Sequence, residues 1–172
     1  MFAFLHIEQA INWLDAMSSS DPAALATFAI KSWDQKQYRD AIAALSRIQD
    51  LGHQPNENAK SLAGKIEAHV RPLATNWDER IRAAKDGSWI DDFLKFREDF
   101  GSHPASVEVS KRFAILRNQQ NAEAEKLFTE ANDAFRSGQS SAGYQKYEEI
   151  AQKYYASKRY PAVKRGLQAR RN

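Results

Sequence analysis

The residues best suited to chemistry in this chain are its histidines and its adjacent carboxylate pairs. The four histidines are His6, His53, His69 and His103. A helical zinc site needs two ligands at positions i and i+4, and no two histidines have that spacing. The pairs Asp91-Asp92 and Glu148-Glu149 are adjacent in sequence, so on a helix each pair diverges by about 100° and forms a solvated face. We therefore predict no metal site, no cofactor and no enzyme activity.

Composition places the chain among soluble, folded proteins. It has 172 residues, of which 42% are hydrophobic and 27% charged, and this length suits a single domain. It has no cysteine, which excludes disulfides, thiolate metal sites and cysteine nucleophiles. That absence fits a reducing cytosol and an envelope protein equally well, so the compartment stays open. The sequence shows no secretory signal and no apolar stretch long enough to span a bilayer, although a piece of a longer protein would look the same.

Charge is concentrated at the C-terminal end. The net charge is +3, but residues 150–172 hold seven basic and no acidic residues, and residues 1–149 carry −4. The basic residues are Lys153, Lys158, Arg159, Lys164, Arg165, Arg170 and Arg171. One interpretation is a solvated helix end that the helix dipole favours. The alternative is binding of nucleic acid or an anionic membrane, with interleaved tyrosines available for stacking.

Hydrophobic periodicity predicts an all-α protein, because apolar residues recur three and four apart and no alternating β-branched run occurs. The first stripe, Phe4, Ile7, Ile11 and Leu14, predicts an N-terminal helix over residues 1–17. Ser20 or Asp21 can then cap a second helix that begins at Pro22. Further helix ends are expected at Gly52, at Pro72 and near Asn118, which gives about ten helices in total.

The sequence also repeats itself weakly. Residues 22–51, 73–102 and 124–153 align at a constant offset of 51 without gaps, and each segment consists of two amphipathic helices joined by a polar turn. Repetition at such a period indicates stacked helical units that bury their faces against one another. We therefore divide the single domain into repeat units over 22–72, 73–123 and 124–172.

These units resemble tetratricopeptide (TPR) repeats, most clearly at 34–55 and 131–151. The matching positions are the small residues Ala29, Ala131, Ala41 and Gly143, the turn glycines Gly87 and Gly138, the aromatics Tyr38 and Trp89, the large residues Leu45, Phe96 and Tyr147, and Pro104. The chain departs from the family at Arg80, Asp92 and Ser140, and its period of 51 exceeds the family's 34 by about one helix. The resemblance implies a right-handed α-solenoid, and an irregular helical bundle is the alternative.

The resemblance further implies a concave face lined by the first helix of each unit. Its exposed positions would be Ile30, Trp33, Trp77, Ile81, Phe128, Asn132, Phe135 and Arg136. Such an aromatic face suits a partner helix or an extended apolar peptide. The same side chains would serve equally well as core, or the N-terminal helix would occupy the groove. The predicted function is a non-enzymatic scaffold or assembly subunit that binds another protein, and binding through the basic C-terminus is the alternative.

Overall fold

The computed structural model describes residues 2–171, except for the side chains of residues 2–6, 8 and 9. The described residues form eight α-helices and no strand, which confirms the predicted all-α class. The helices are α1 (Phe2–Ser18), α2 (Pro22–Asp34), α3 (Tyr38–Asp50), α4 (Glu57–Ala83), α5 (Ile90–Phe100), α6 (Pro104–Arg136), α7 (Ser140–Lys153) and α8 (Tyr160–Arg171). None of these helices combines the length and the apolar character needed to cross a bilayer.

The start of α2 and the turn behind it are fixed by local interactions. The Asp21 side chain accepts a hydrogen bond of 2.9 Å from the Ala23 amide, and Pro22 occupies the first turn, where its missing N–H costs nothing. The helix ends in a tight turn in which Lys36 adopts φ 61° and the Gln37 amide donates to the Ser32 carbonyl at 2.8 Å. The predicted boundary before Pro22 is therefore confirmed, and of the two candidate caps, Ser20 and Asp21, the structure shows Asp21.

The predicted helix end at Pro72 is wrong, because α4 continues through the proline to Ala83. Buried residues keep helical spacing on both sides of it, at Leu62, Ile66, Val70, Ala74, Trp77 and Ile81. Pro72 and Ala68, whose carbonyl loses its helical donor, are both exposed, so water can satisfy that carbonyl. Burial of a continuous apolar stripe thus outweighs the local cost of the proline.

The predicted end near Asn118 is also wrong, because α6 is one helix of 33 residues. Its polar segment binds the connection between α7 and α8. The Gln120 side chain accepts from the Ala156 amide at 2.8 Å, and Asn121 accepts from the Lys158 amide at 2.9 Å. These side chains satisfy backbone donors of a largely buried loop. With both predicted ends absent, the described chain has eight helices instead of about ten.

The chain divides into two compact units. Unit 1 comprises Met1–Thr75 and Lys95–Val107, and unit 2 comprises Asn76–Leu94 and Glu108–Asn172. Helices α4, α5 and α6 are each divided between the two units, with one segment in unit 1 and the other in unit 2. We therefore describe the packing of each unit separately.

Unit 1 is built around the α2–α3 hairpin. Leu25 and Ala29 on α2 and Ala41 and Ala44 on α3 are fully buried, and the alanines allow the helices to approach closely. An aromatic cluster lies beside this core. It consists of Trp33, Tyr38, His69 and Phe100, with ring centroids 4.9–5.9 Å apart.

Unit 2 has an apolar core in which α6, α7 and α8 meet. Ala124, Ile150 and Val163 have no exposed surface there. Glycines permit the close packing around it: a Cβ on Gly143 would lie 2.6 Å from the Phe135 ring, and one on Gly166 would lie 2.7 Å from Tyr147. Both distances are shorter than normal side-chain contacts, so a larger residue at either position would displace the neighbouring ring.

Candidate functional site

The structure places the predicted binding residues of unit 1 within the helical packing. Ile30 and Trp33 are half-buried on α2. The Trp33 indole meets Tyr38 edge-on at 4.9 Å and His69 at 5.6 Å, so it belongs to the aromatic cluster. Part of each side chain remains in contact with solvent.

Two of the predicted residues in unit 2 present little surface. Trp77 is 7% exposed and Ile81 is 8% exposed. The Trp77 ring packs on Phe93 at 5.5 Å, and the Arg80 guanidinium lies 4.3 Å above it. These two residues therefore act mainly as core, which the sequence left open.

The structure brings three other predicted residues together around Tyr147. Phe128 stacks on its ring at 5.7 Å, Phe135 meets it edge-on at 5.3 Å, and the Asn132 side chain lies 3.5 Å from its hydroxyl. All are half-buried. Arg136, the last of the predicted set, is exposed and pairs with the nearby Asp133 at 3.4 Å.

The apolar stripe of the N-terminal helix faces solvent. Ile7, Ile11 and Leu14 are 56%, 52% and 58% exposed, so they do not fill a groove as the alternative required. The side chain of Phe4, the fourth residue of that stripe, lies outside the described residues. A different face of α1, which includes Trp13, turns toward α2 and α3.

That face of α1 forms one wall of an open cleft of about 770 Å³ within unit 1. The described residues that line the cleft are Ala10, Asn12, Trp13, Phe28, Lys31, Ser32, Gln35, Gln37, Arg39, Asp40, Ala43 and Ser102. The volume lies in the range of known ligand sites. None of the eight predicted binding residues is in this set.

Secondary structure positions the polar groups of the cleft. Gln35 and Gln37 flank the tight turn between α2 and α3, which the left-handed conformation of Lys36 closes. Lys31 lies in the last turn of α2, and Arg39 in the first turn of α3. The hairpin thus gathers amides and charges at one end of the cleft.

The electrostatics of the cleft are mildly positive. Lys31 and Arg39 are exposed and form no ion pair with any residue that the structure describes. Asp40 is half-buried, and this burial raises the pKa of its carboxyl above the usual value, while the Arg39 guanidinium opposes the shift. Two cations thus accompany one carboxylate among the described lining residues.

The described residues include no cluster of side chains suited to a metal ion, since no group of three or more histidine, cysteine, aspartate or glutamate side chains among them could hold one. The cleft instead combines two aromatic rings with neutral amides and hydroxyls. Such a lining supports binding by shape, apolar contact and hydrogen bonds.

Sequence reasoning missed the cleft because its walls come from separate segments. The polar turn at residues 34–37 and the cap at Asp21 located α2 and α3, but the packing of α1 against them is a tertiary property. The available sequence signal was polar: Lys31, Gln35, Gln37 and Arg39 lie at or beside the predicted turn.

The basic C-terminal segment is largely neutralised within unit 2. Four of its seven cations pair with carboxylates: Lys153 with Glu149 at 2.9 Å, Arg159 with Glu125 at 2.6 Å, Lys164 with Asp91 at 2.7 Å and Arg170 with Glu148 at 3.3 Å. Lys158, Arg165 and Arg171 have no ion pair among residues 2–171. Three cations therefore remain for an external anion.

Comparisons with known proteins gave no match. No protein-family model matches the sequence, and neither curated proteins nor solved structures give a significant match. The functional argument therefore depends on the residues and contacts of this chain alone.

Proposed function

We propose that this protein is a non-enzymatic binding module that holds a peptide segment of another protein in the cleft of unit 1. The observation that carries the proposal is the open cleft of about 770 Å³, in which aromatic rings lie beside hydrogen-bonding side chains. Trp13 and Phe28 offer an apolar surface for a partner side chain. Aromatic contacts of this kind commonly dominate the energy of peptide binding.

The neutral polar residues suit a peptide main chain. Every peptide unit removed from water needs a partner for its N–H and its C=O. Asn12, Gln35 and Gln37 each carry an amide that both donates and accepts, and Ser102 adds a hydroxyl group. An extended segment can therefore exchange its hydrogen bonds with water for bonds to this wall.

We also propose that the helical hairpins are TPR-like units, as the sequence resemblance implies. Three of the small residues expected at helix contacts, Ala29, Ala41 and Ala131, are fully buried. Gly138 adopts φ +76° at the turn between α6 and α7. These features support the resemblance at the level of single hairpins.

A peptide-display selection on the intact chain tests the proposed function. Enriched peptides should lose binding when the cleft is filled by Ala43→Phe or, at its exposed rim, by Gln35→Trp. Ser46→Phe is the matched control, because Ser46 is exposed on α3 and does not line the cleft. Circular dichroism establishes that each variant remains folded. Peptides that bind all folded variants equally would place recognition elsewhere and defeat the proposal.

A second candidate function is polyanion binding through the basic C-terminus. It is favoured by the three exposed or partly exposed cations that lack ion pairs, Lys158, Arg165 and Arg171, in a unit whose net charge is +4. Nucleic acid and an anionic membrane surface would both interact with such charges. The dependence of binding on salt distinguishes this function from peptide binding in the cleft.

A further inference from the structure

We propose that the cleft of unit 1 selects an acidic peptide, with an aspartate or glutamate next to a large apolar residue. This inference rests on the proposed function, since it specifies the chemistry of the segment that the cleft holds. It follows from two features of the cleft, its excess of positive charge and its aromatic wall.

The two cations of the cleft are available to an incoming anion. Two other basic residues of unit 1 pair with carboxylates on α4, Lys60 with Glu57 at 2.8 Å and Arg71 with Glu67. Lys31 and Arg39 form no ion pair in the described chain, although the Arg39 guanidinium interacts electrostatically with Asp40. Two cations against one carboxylate leave an excess of positive charge, which a carboxylate that enters the cleft would balance.

The position of Arg39 strengthens this preference. It lies in the first turn of α3, where the helix dipole is positive, and the N-cap residue Gln37 makes no side-chain hydrogen bond to the free amides. A cation is disfavoured there, and Asp40 in the same turn offsets this effect only in part. The charge of the side chain and the dipole of the helix therefore favour the same ligand.

Asp40 is the acidic residue among the described lining side chains, and it opposes an acidic ligand. It is half-buried, and the guanidinium of its neighbour Arg39 stabilises its charged form. Replacing it with asparagine keeps its shape and removes its charge. Acidic peptides should therefore bind the Asp40→Asn variant more tightly than the wild type.

The apolar part of the ligand follows from Trp13 and Phe28. The Trp13 side chain is 36% exposed at the cleft, although large aromatic side chains are usually covered more completely. A leucine, phenylalanine or tryptophan on the peptide would cover it. An acidic residue without an apolar neighbour would leave this surface in water.

The test uses the full-length chain and a random library of twelve-residue peptides. Enriched peptides should carry net negative charge and a large apolar residue. One of them is then compared with its amidated counterpart, in which each aspartate or glutamate becomes asparagine or glutamine, by fluorescence anisotropy. The double variant Lys31→Glu/Arg39→Glu should bind the acidic peptide on the order of tenfold more weakly. Asp40→Asn should bind it about two- to fivefold more tightly.

Lys65→Glu is the control for charge reversal, because Lys65 is exposed in unit 1 and lies outside the cleft. It should leave the affinity within about twofold of wild type. Lys31 and Arg39 are also exposed, so their reversal should preserve the helical content, which circular dichroism checks.

The outcomes separate this inference from the proposed function. If the enriched peptides are neutral or basic and fail to bind the Gln35→Trp variant, the acidic preference is overturned while the cleft remains a peptide site. Acidic peptides that bind Lys31→Glu/Arg39→Glu as well as wild type would also overturn it. If no enriched peptide depends on the cleft, both proposals fail.

Discussion

At the residue scale, two glycines differ in the space available for a side chain. Gly64 lies within α4, and a Cβ there would meet nothing within 4 Å. Gly143 lies on α7, and a Cβ there would approach the Phe135 ring to 2.6 Å. We expect Gly64→Ala to raise the free energy of unfolding by about 0.5–1 kcal/mol, because alanine stabilises an open helical position. Gly143→Ala should lower it by about 1–3 kcal/mol through overpacking.

Urea unfolding followed by circular dichroism measures both changes. Introducing Gly143→Ala into a Phe135→Leu background provides a second comparison. The smaller leucine should relieve part of the clash, so the loss of stability should be smaller there than in the wild-type background. A Gly143→Ala variant as stable as Gly64→Ala would contradict the close packing of α7 on Phe135.

His103 links the stability of unit 1 to pH. It is buried at the start of α6, where its Nε2 lies 3.1 Å from Glu67 and its Nδ1 accepts from the Ala105 amide at 3.3 Å. Burial lowers the pKa of this imidazole below its usual value, although Glu67 opposes the shift and Arg71 adds to it. Protonation would also remove the Nδ1 acceptor. The neutral form is therefore the one that the folded state favours.

A lowered pKa means that the unfolded chain binds a proton before the folded chain does. The contribution of His103 to stability is thus fully present above the unfolded pKa of about 6.5 and is lost as the pH falls toward the folded pKa. We expect the free energy of unfolding to decrease between about pH 7.5 and 5.5, and to decrease less in His103→Asn. His53→Asn, at an exposed position, should keep the wild-type dependence. Identical pH profiles for wild type and His103→Asn would refute this role.

At the element scale, two prolines test how a helix tolerates a missing donor. Pro72 lies inside α4, where it removes the bond to the Ala68 carbonyl, whereas Pro104 lies at the first position of α6, where no donor is needed. Pro72→Ala should raise the free energy of unfolding by about 1 kcal/mol or more. Pro104→Ala should leave it unchanged or lower it by about 0.5–1 kcal/mol, because the unfolded chain gains freedom.

Chemical unfolding of the two variants in parallel gives the comparison. Helicity by circular dichroism should be preserved in both. If Pro72→Ala were no more stable than Pro104→Ala, the proline would be part of a required distortion of α4.

The same elements show how much of the fold was predictable. The start of α2 was predicted because Asp21 and Pro22 act on their immediate neighbours. The path of α4 through Pro72 was also readable, since the buried stripe keeps its spacing on both sides, but local propensity was given more weight. The continuity of α6 was not readable, because Gln120 bonds to Ala156, 36 residues away. In the sequence, polar side chains that hydrogen-bond to a distant part of the backbone look the same as polar residues that end a helix.

At the scale of the whole molecule, the candidate site depends on contacts that no single segment contains. The cleft needs α1, the α2–α3 hairpin and Ser102, which follows α5. The sequence prediction instead assumed that first helices face a common groove, and it therefore selected Trp77 and Ile81, which are buried. The sequence-based prediction of protein binding was argued from that assumed face, whereas the function proposed for the cleft rests on other residues.

Charge is also distributed unevenly over the molecule. The sequences of unit 1 and unit 2 carry −1 and +4 respectively, and most of the excess lies in residues 150–172. Ion pairs with Glu125, Asp91, Glu148 and Glu149 reduce the number of free cations there to three. Net charge alone therefore overstates the attraction of this end for a polyanion.

This count makes a quantitative prediction for binding to a single-stranded oligonucleotide. Each cation that replaces a counterion contributes about 0.7 to the slope of log K against log salt, so three free cations give a slope of about −2 and all seven would give about −5. We expect a slope no steeper than about −2, measured by anisotropy between about 50 and 200 mM salt. The variant Lys158→Ser/Arg165→Ser/Arg171→Ser should abolish this binding, whereas Lys153→Ser, at a paired position, should leave the slope nearly unchanged. A slope near −5 would show that the ion pairs of the C-terminal segment open when the polyanion binds.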